Sequence, residues 1–73
     1  SGLGNDVVLA GEGNDIVQGD DGNDAINGEN GDDQLSGGDG NDTIGGDNGN
    51  DDIDGGDGNN VLNGGAGNDS VFA

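Results

Sequence analysis

Every ninth residue from Val8 onward is aliphatic: Val8, Val17, Ile26, Leu35, Ile44, Ile53, Leu62 and Val71. The residues flanking each of them vary and are mostly polar, so three consecutive positions alternate out, in, out with the period of a strand. Between these triplets lie six residues with a different pattern. Glycine stands at the fourth position of every nine-residue unit (Gly4, Gly13, Gly22, Gly31, Gly40, Gly49, Gly58, Gly67). The fifth position is Asn in all units but one, which has Asp32, and the sixth is Asp in all but one, which has Asn60. Glycine followed by Asn and Asp marks a turn. The chain is thus eight turn-plus-strand units from Ser1 to Phe72, with Ala73 left over.

Strands of three residues are not stable alone, but stacked on copies of themselves they bury their apolar residue against neighbours, which is the logic of a solenoid. Two units per revolution make an 18-residue coil, and eight units make about four coils. Odd units then give Val8, Ile26, Ile44 and Leu62 to one sheet, and even units give Val17, Leu35, Ile53 and Val71 to the sheet facing it. The expected core is a single layer of these eight side chains.

Composition makes such a core insufficient. Apolar residues are 25% of a 73-residue chain with 20 glycines, against the about 45–50% of ordinary globular domains. Low hydrophobicity with a net charge of −17 is the signature of disorder unless something external neutralises the acid. With no Lys, Arg or His, no side-chain ion pair can form, and nothing is available to meet a nucleic-acid backbone or an anionic membrane surface. No apolar run approaches the roughly 18 residues of a membrane-spanning helix, so membrane insertion is not expected. The absence of Cys removes disulfides as staples.

The sixth-position carboxylates bring the partner into view. Stacking sets Asp6, Asp24, Asp42 and Asn60 in one column and Asp15, Asp33, Asp51 and Asp69 in the other. Like charges about 5 Å apart in a partly dry turn repel strongly, so each gap between turns calls for a cation. Oxygen-only donors, carboxylates supplemented by backbone carbonyls, suit Ca²⁺ better than Mg²⁺. Zinc is disfavoured without His or Cys.

These units resemble the GGxGxDxUx nonapeptide of the RTX (repeat-in-toxin) calcium-binding family, and the resemblance covers the whole chain. It implies an all-β fold, a right-handed parallel β-roll with two nonapeptides per coil. It also implies Ca²⁺ ions between turns, about six of them, held by the side chains of Asp6, Asp15, Asp24, Asp33, Asp42, Asp51 and Asp69 and more weakly by Asn60. Backbone carbonyls from the preceding turn residues complete the implied sites, the candidates being Gly19, Asp21, Gly28, Asn30, Gly37, Asp39, Gly46, Asn48, Gly55, Asp57, Gly64 and Ala66. Secretion to the cell exterior or surface is implied as well, with folding delayed until calcium is met. The chain departs from the pattern at Ser1 and Ala10, which replace the first glycine, and at Asp20, Glu29 and Asp47, which replace the second. If the second position requires positive φ, Asp tolerates it moderately and Glu29 poorly. Asn60 keeps a neutral oxygen but loses a charge, so the gap between Asp42 and Asn60 is expected to bind calcium more weakly than the others.

The outward seventh position is Val7, Ala25, Thr43 and Val61 in odd units and Ile16, Gln34, Asp52 and Ser70 in even ones, so the odd sheet is the more apolar. The fifth-position Asn residues are expected to form turn hydrogen bonds and a ladder up the stack. Nothing in the sequence points to an enzyme: there is no His, Lys, Cys or Tyr, and Ser1, Ser36 and Ser70 have no base beside them. The expectation is one calcium-binding RTX segment over residues 1–73, belonging to a longer secreted protein whose flanking domains it contacts. An adhesive or fibre-forming extracellular module, self-associating end to end through uncapped coils, is the alternative.

Overall fold

The computed structural model describes residues 4–72. Ser1, one of the two departures at the first glycine, lies outside them. Each apolar triplet is a strand: β1 (Val7–Leu9), β2 (Ile16–Gln18), β3 (Ala25–Asn27), β4 (Gln34–Ser36), β5 (Thr43–Gly45), β6 (Asp52–Asp54), β7 (Val61–Asn63) and β8 (Ser70–Phe72). They form two parallel sheets, ordered β1-β3-β5-β7 and β2-β4-β6-β8. The register pairs each residue with its equivalent one coil on, as in Ile26 with Ile44 and Leu35 with Ile53. The result is a β-solenoid of about four coils, measuring 28 × 20 × 12 Å.

The ladder continues past the strand ends. First-position N–H groups donate to ninth-position carbonyls of the next coil (Gly19 to Ser36, Gly37 to Asp54, both 2.8 Å), and seventh-position N–H groups to sixth-position carbonyls of the coil before (Thr43 to Asp24, 2.8 Å). These bonds hold the ends of every turn in register, which fixes where its sixth-position side chain begins.

The expected layer of eight aliphatic side chains is sealed only at its centre. Ile26, Leu35, Ile44 and Ile53 are buried, Val8, Val17 and Leu62 pack against them half-exposed, and Val71 is 43% exposed. In a solenoid each core side chain is covered from the coil above and the coil below, and those of the first and last coils have only one such neighbour. The seventh-position residues of every strand face outward and are exposed.

The turns explain the glycines. The second position has positive φ throughout the described units, from 62° at Glu29 and 67° at Asp20 and Asp47 to 82° at Gly11. The non-glycine substitutions therefore sit in the left-handed region, as the sequence predicts. At Glu29 the cost is partly met by Asn27, whose Oδ1 accepts the Glu29 N–H at 3.0 Å. The fourth-position glycines combine positive φ with a stacking constraint, since a Cβ on Gly40 would collide with the carbonyl of Gly22 one coil below.

Candidate metal centre

The sixth-position side chains enter the turns from a fixed direction. From the second coil on, one carboxylate oxygen of each Asp is committed to the main chain of the preceding coil: Asp24 Oδ1 accepts the Asp6 N–H at 2.9 Å, Asp42 Oδ1 that of Asp24 at 2.8 Å and, in the even column, Asp69 Oδ1 that of Asp51 at 2.8 Å. The even column repeats this through Asp33 to Asp15 and Asp51 to Asp33. The fifth position forms its own ladder in the opposite direction, its side-chain oxygen accepting from the coil that follows. Asn23 Oδ1 takes the Asn41 N–H and Asp32 Oδ1 that of Asn50, both at 2.8 Å. The ladder expected of the Asn column is present, and it runs from side chain to main chain.

The second carboxylate oxygen is the informative one. Oδ2 of Asp15, Asp24, Asp33, Asp42 and Asp51 is buried and has no hydrogen-bond partner. Asp24, Asp33, Asp42 and Asp51 are buried residues altogether. An ionised oxygen removed from water without a donor is strongly unfavourable. Burial accordingly raises the pKa of Asp51. The Asp33 backbone bond opposes that shift, and the carboxylates of Asp33 and Asp69 add to it.

What these oxygens face is other oxygen. A Cβ on Gly19 would lie 2.5 Å from Asp24 Oδ2 and 2.8 Å from the Gly37 carbonyl oxygen. One on Gly37 would lie 2.5 Å from Asp42 Oδ2 and 2.9 Å from the Gly55 carbonyl, and one on Gly28 would lie 2.6 Å from Asp33 Oδ2 and 3.2 Å from the Gly46 carbonyl. Gly19, Gly28 and Gly37 are therefore cradles: at each, a carboxylate from its own turn and a carbonyl from the next coil converge where a side chain would otherwise stand. Gly37, Gly46 and Gly55 are among the carbonyls singled out from the sequence. Asp21, Asn30, Asp39, Asn48, Asp57 and Ala66, the third-position candidates, are exposed residues at the outside of the turns. The Asn30 and Asn48 side chains bond to each other there at 3.0 Å.

Asn60 shows which other carbonyls point inward. Its Oδ1 takes the Asp42 N–H at 2.7 Å, as an Asp would. Its Nδ2 then donates to the carbonyls of Gly55 at 3.0 Å, Gly56 at 3.4 Å and Gly58 at 3.5 Å. Second- and fourth-position carbonyls were not among the candidates read from the sequence. The signal the sequence offered was the preference for glycine at both positions, which have positive φ.

Among the described residues no three acidic side chains gather as a metal cluster, so a cation here has to be held by few carboxylates and several main-chain oxygens. That donor set, hard and free of nitrogen and sulfur, suits an alkaline-earth ion. Fold and turns together define a repeat solenoid with a hard-cation site built into its turns. The family model of the RTX calcium-binding nonapeptide repeat matches four times, over residues 1–35, 9–44, 18–53 and 45–73. The chain belongs to this family, and calcium binding with a structural role follows from that membership. No match to a curated protein or to a solved structure was found. No described helix is long and apolar enough to cross a membrane.

Proposed function

We propose that this chain is a calcium-driven folding module of a secreted protein. About six ions lie in the gaps between turns, three per column. Asp6, Asp15, Asp24, Asp33, Asp42, Asp51 and Asp69 supply the carboxylates, and Asn60 supplies a weaker neutral oxygen. Gly37, Gly46 and Gly55 supply first-position carbonyls, with second- and fourth-position carbonyls beside them.

One observation carries the proposal: buried carboxylate oxygens with no donor converge with carbonyl oxygens at the first-position glycines. Bound there, Ca²⁺ supplies positive charge and coordinates oxygens that otherwise repel. The side chains themselves do the positioning. Oδ1 is tied to the neighbouring coil, so the stacking of coils is what aims Oδ2. Six divalent ions bring about +12 against the chain's −17. Because the sites exist only when coils are stacked, ion binding and folding are one equilibrium. An intracellular compartment poor in calcium then leaves the chain loose, and the exterior folds it.

Native mass spectrometry of the full chain with increasing calcium tests this. Uptake of several ions together with a collapse to low charge states is expected. Binding of none, or equal occupancy by magnesium at the same concentration, would overturn it.

Exposed apolar side chains favour a second reading, a module that associates through its surface: Val7, Leu9, Ile16 and Phe72 are 66–78% exposed. Size-exclusion chromatography in calcium separates the two, a monomer favouring the folding module and calcium-dependent polymers the adhesive one.

A further inference from the structure

Asparagine precedes glycine at four places. Asn30–Gly31 and Asn48–Gly49 are at the turn tips, with both Asn residues exposed, whereas Asn27–Gly28 and Asn63–Gly64 lie where a strand enters its turn. Such pairs are chemically weak: Asn is thermolabile, and a following glycine has no Cβ to hinder attack by its own nitrogen. That nitrogen loses its proton and bonds to the Asn Cγ, the Cγ–Nδ2 bond breaks, and Nδ2 leaves as ammonia with the proton. Water then opens the resulting succinimide at one of its two carbonyls, giving Asp or an isoaspartyl residue. The reaction consumes only water and needs no oxidant or reductant.

The fold restrains both reactants at Asn27. Gly28 is buried and its N–H donates to the Gly45 carbonyl of the next coil at 2.8 Å, while Asn27 Oδ1 is tied to the Glu29 N–H at 3.0 Å. Asn63 has the same kind of side-chain bond, its Oδ1 accepting the Gly65 N–H at 3.0 Å. Among the described residues, however, no following coil offers the Gly64 N–H a carbonyl. We propose that Asn27–Gly28 is a deamidation site gated by calcium, shut while the coils are stacked and open while the chain is metal-free. This rests on the calcium-driven folding proposed above and draws a chemical consequence from it. The two products differ in effect. Asp is compatible with this place in the turn, since Asp54 in the equivalent position accepts the Gly56 N–H at 3.0 Å. The isoaspartyl product adds a methylene to the main chain between β3 and its turn, which disturbs the register that pairs Asn27 with Gly45. A chain kept long without calcium thereby loses part of its capacity to fold.

The test incubates the full chain at mildly alkaline pH in chelator and in millimolar calcium. Each Asn is followed by tandem mass spectrometry, with circular dichroism on the same samples. Deamidation at Asn27 is expected to be slower in calcium by about tenfold or more, because the site reacts only through its open fraction, while Asn63 is slowed less. In chelator, Gly28→Ala is expected to slow the reaction at Asn27 and leave Asn63 unchanged. Equal rates at Asn27 in two samples whose spectra differ would overturn the proposal, as would G28A reacting at Asn27 as fast as the parent. A chain that calcium leaves unfolded would remove the folding reading, and this gate with it.

Discussion

The backbone N–H of Asp24 donates to Asp42 Oδ1 at 2.8 Å, from one coil to the next, while Asp42 Oδ2 has no donor at all. One carboxylate thus does two jobs, and substitutions can separate them. Asp42→Ala removes both the acceptor of a buried N–H, worth about 1–3 kcal/mol, and the oxygen aimed at the cradle. Asp42→Asn keeps the acceptor and replaces only the aimed oxygen. In calcium titrations followed by circular dichroism, both are expected to shift the midpoint to higher calcium, D42A by more. Only D42A should lose protection of the Asp24 amide in hydrogen exchange. Identical behaviour of the two variants would contradict the division of labour.

The first- and fourth-position glycines are expected to fail differently. A Cβ on Gly37 strikes the Asp42 carboxylate, whereas one on Gly40 strikes the main chain of Gly22 in the preceding coil and adds strain at φ 108°. Gly37→Ala should therefore fold in calcium with about one ion fewer. Gly40→Ala should prevent coil stacking at any calcium concentration. Ion counting and circular dichroism on the two variants make the comparison.

At Glu29 the chain holds a non-glycine residue at φ 62°, a conformation that costs L-residues about 1–2 kcal/mol. Glycine there gives back part of that gain through greater freedom of the unfolded chain. Glu29→Gly is expected to stabilise the calcium-loaded fold by about 1 kcal/mol, seen as a higher melting temperature. A lower one would show that the Glu29 side chain makes an interaction that outweighs its strain.

Acid should act in opposite directions with and without calcium. Burial raises the pKa of Asp51 in the folded chain above its ordinary value of 3.8. The folded form therefore holds this proton more tightly than the unfolded form. In chelator, that contribution favours folding fully below the ordinary carboxylate value and is lost as pH rises through the raised one. Acidifying the metal-free chain toward about pH 4 is thus expected to increase its β signal. In calcium the same acidification removes ligands and unfolds it. Circular dichroism against pH in both buffers checks this, and a metal-free chain that loses structure on acidification would contradict it.

Much of this architecture was legible because one period governs it. A single aliphatic column sets the strands, the 18-residue spacing of the hydrogen bonds between coils follows from two units per coil, and stacking brings the Asp residues into columns. Three features were not legible. Which carbonyls turn inward depends on φ and ψ within the turn, so the carbonyls of Gly56 and Gly58, which accept from Asn60 Nδ2, were not among those read from the sequence. The reason for the first-position glycine lies in its own turn's Oδ2, a contact that spacing does not reveal. The sequence showed Asn60 as a missing charge, but its role as a donor to three carbonyls depends on where its amide is pinned.

Far-UV circular dichroism of the full chain, first in chelator and then in millimolar calcium, tests most directly whether the ion drives the fold. A largely disordered spectrum that becomes β-rich on adding calcium is expected, with the change reversed by chelator. A β-rich spectrum that is the same in both would contradict it.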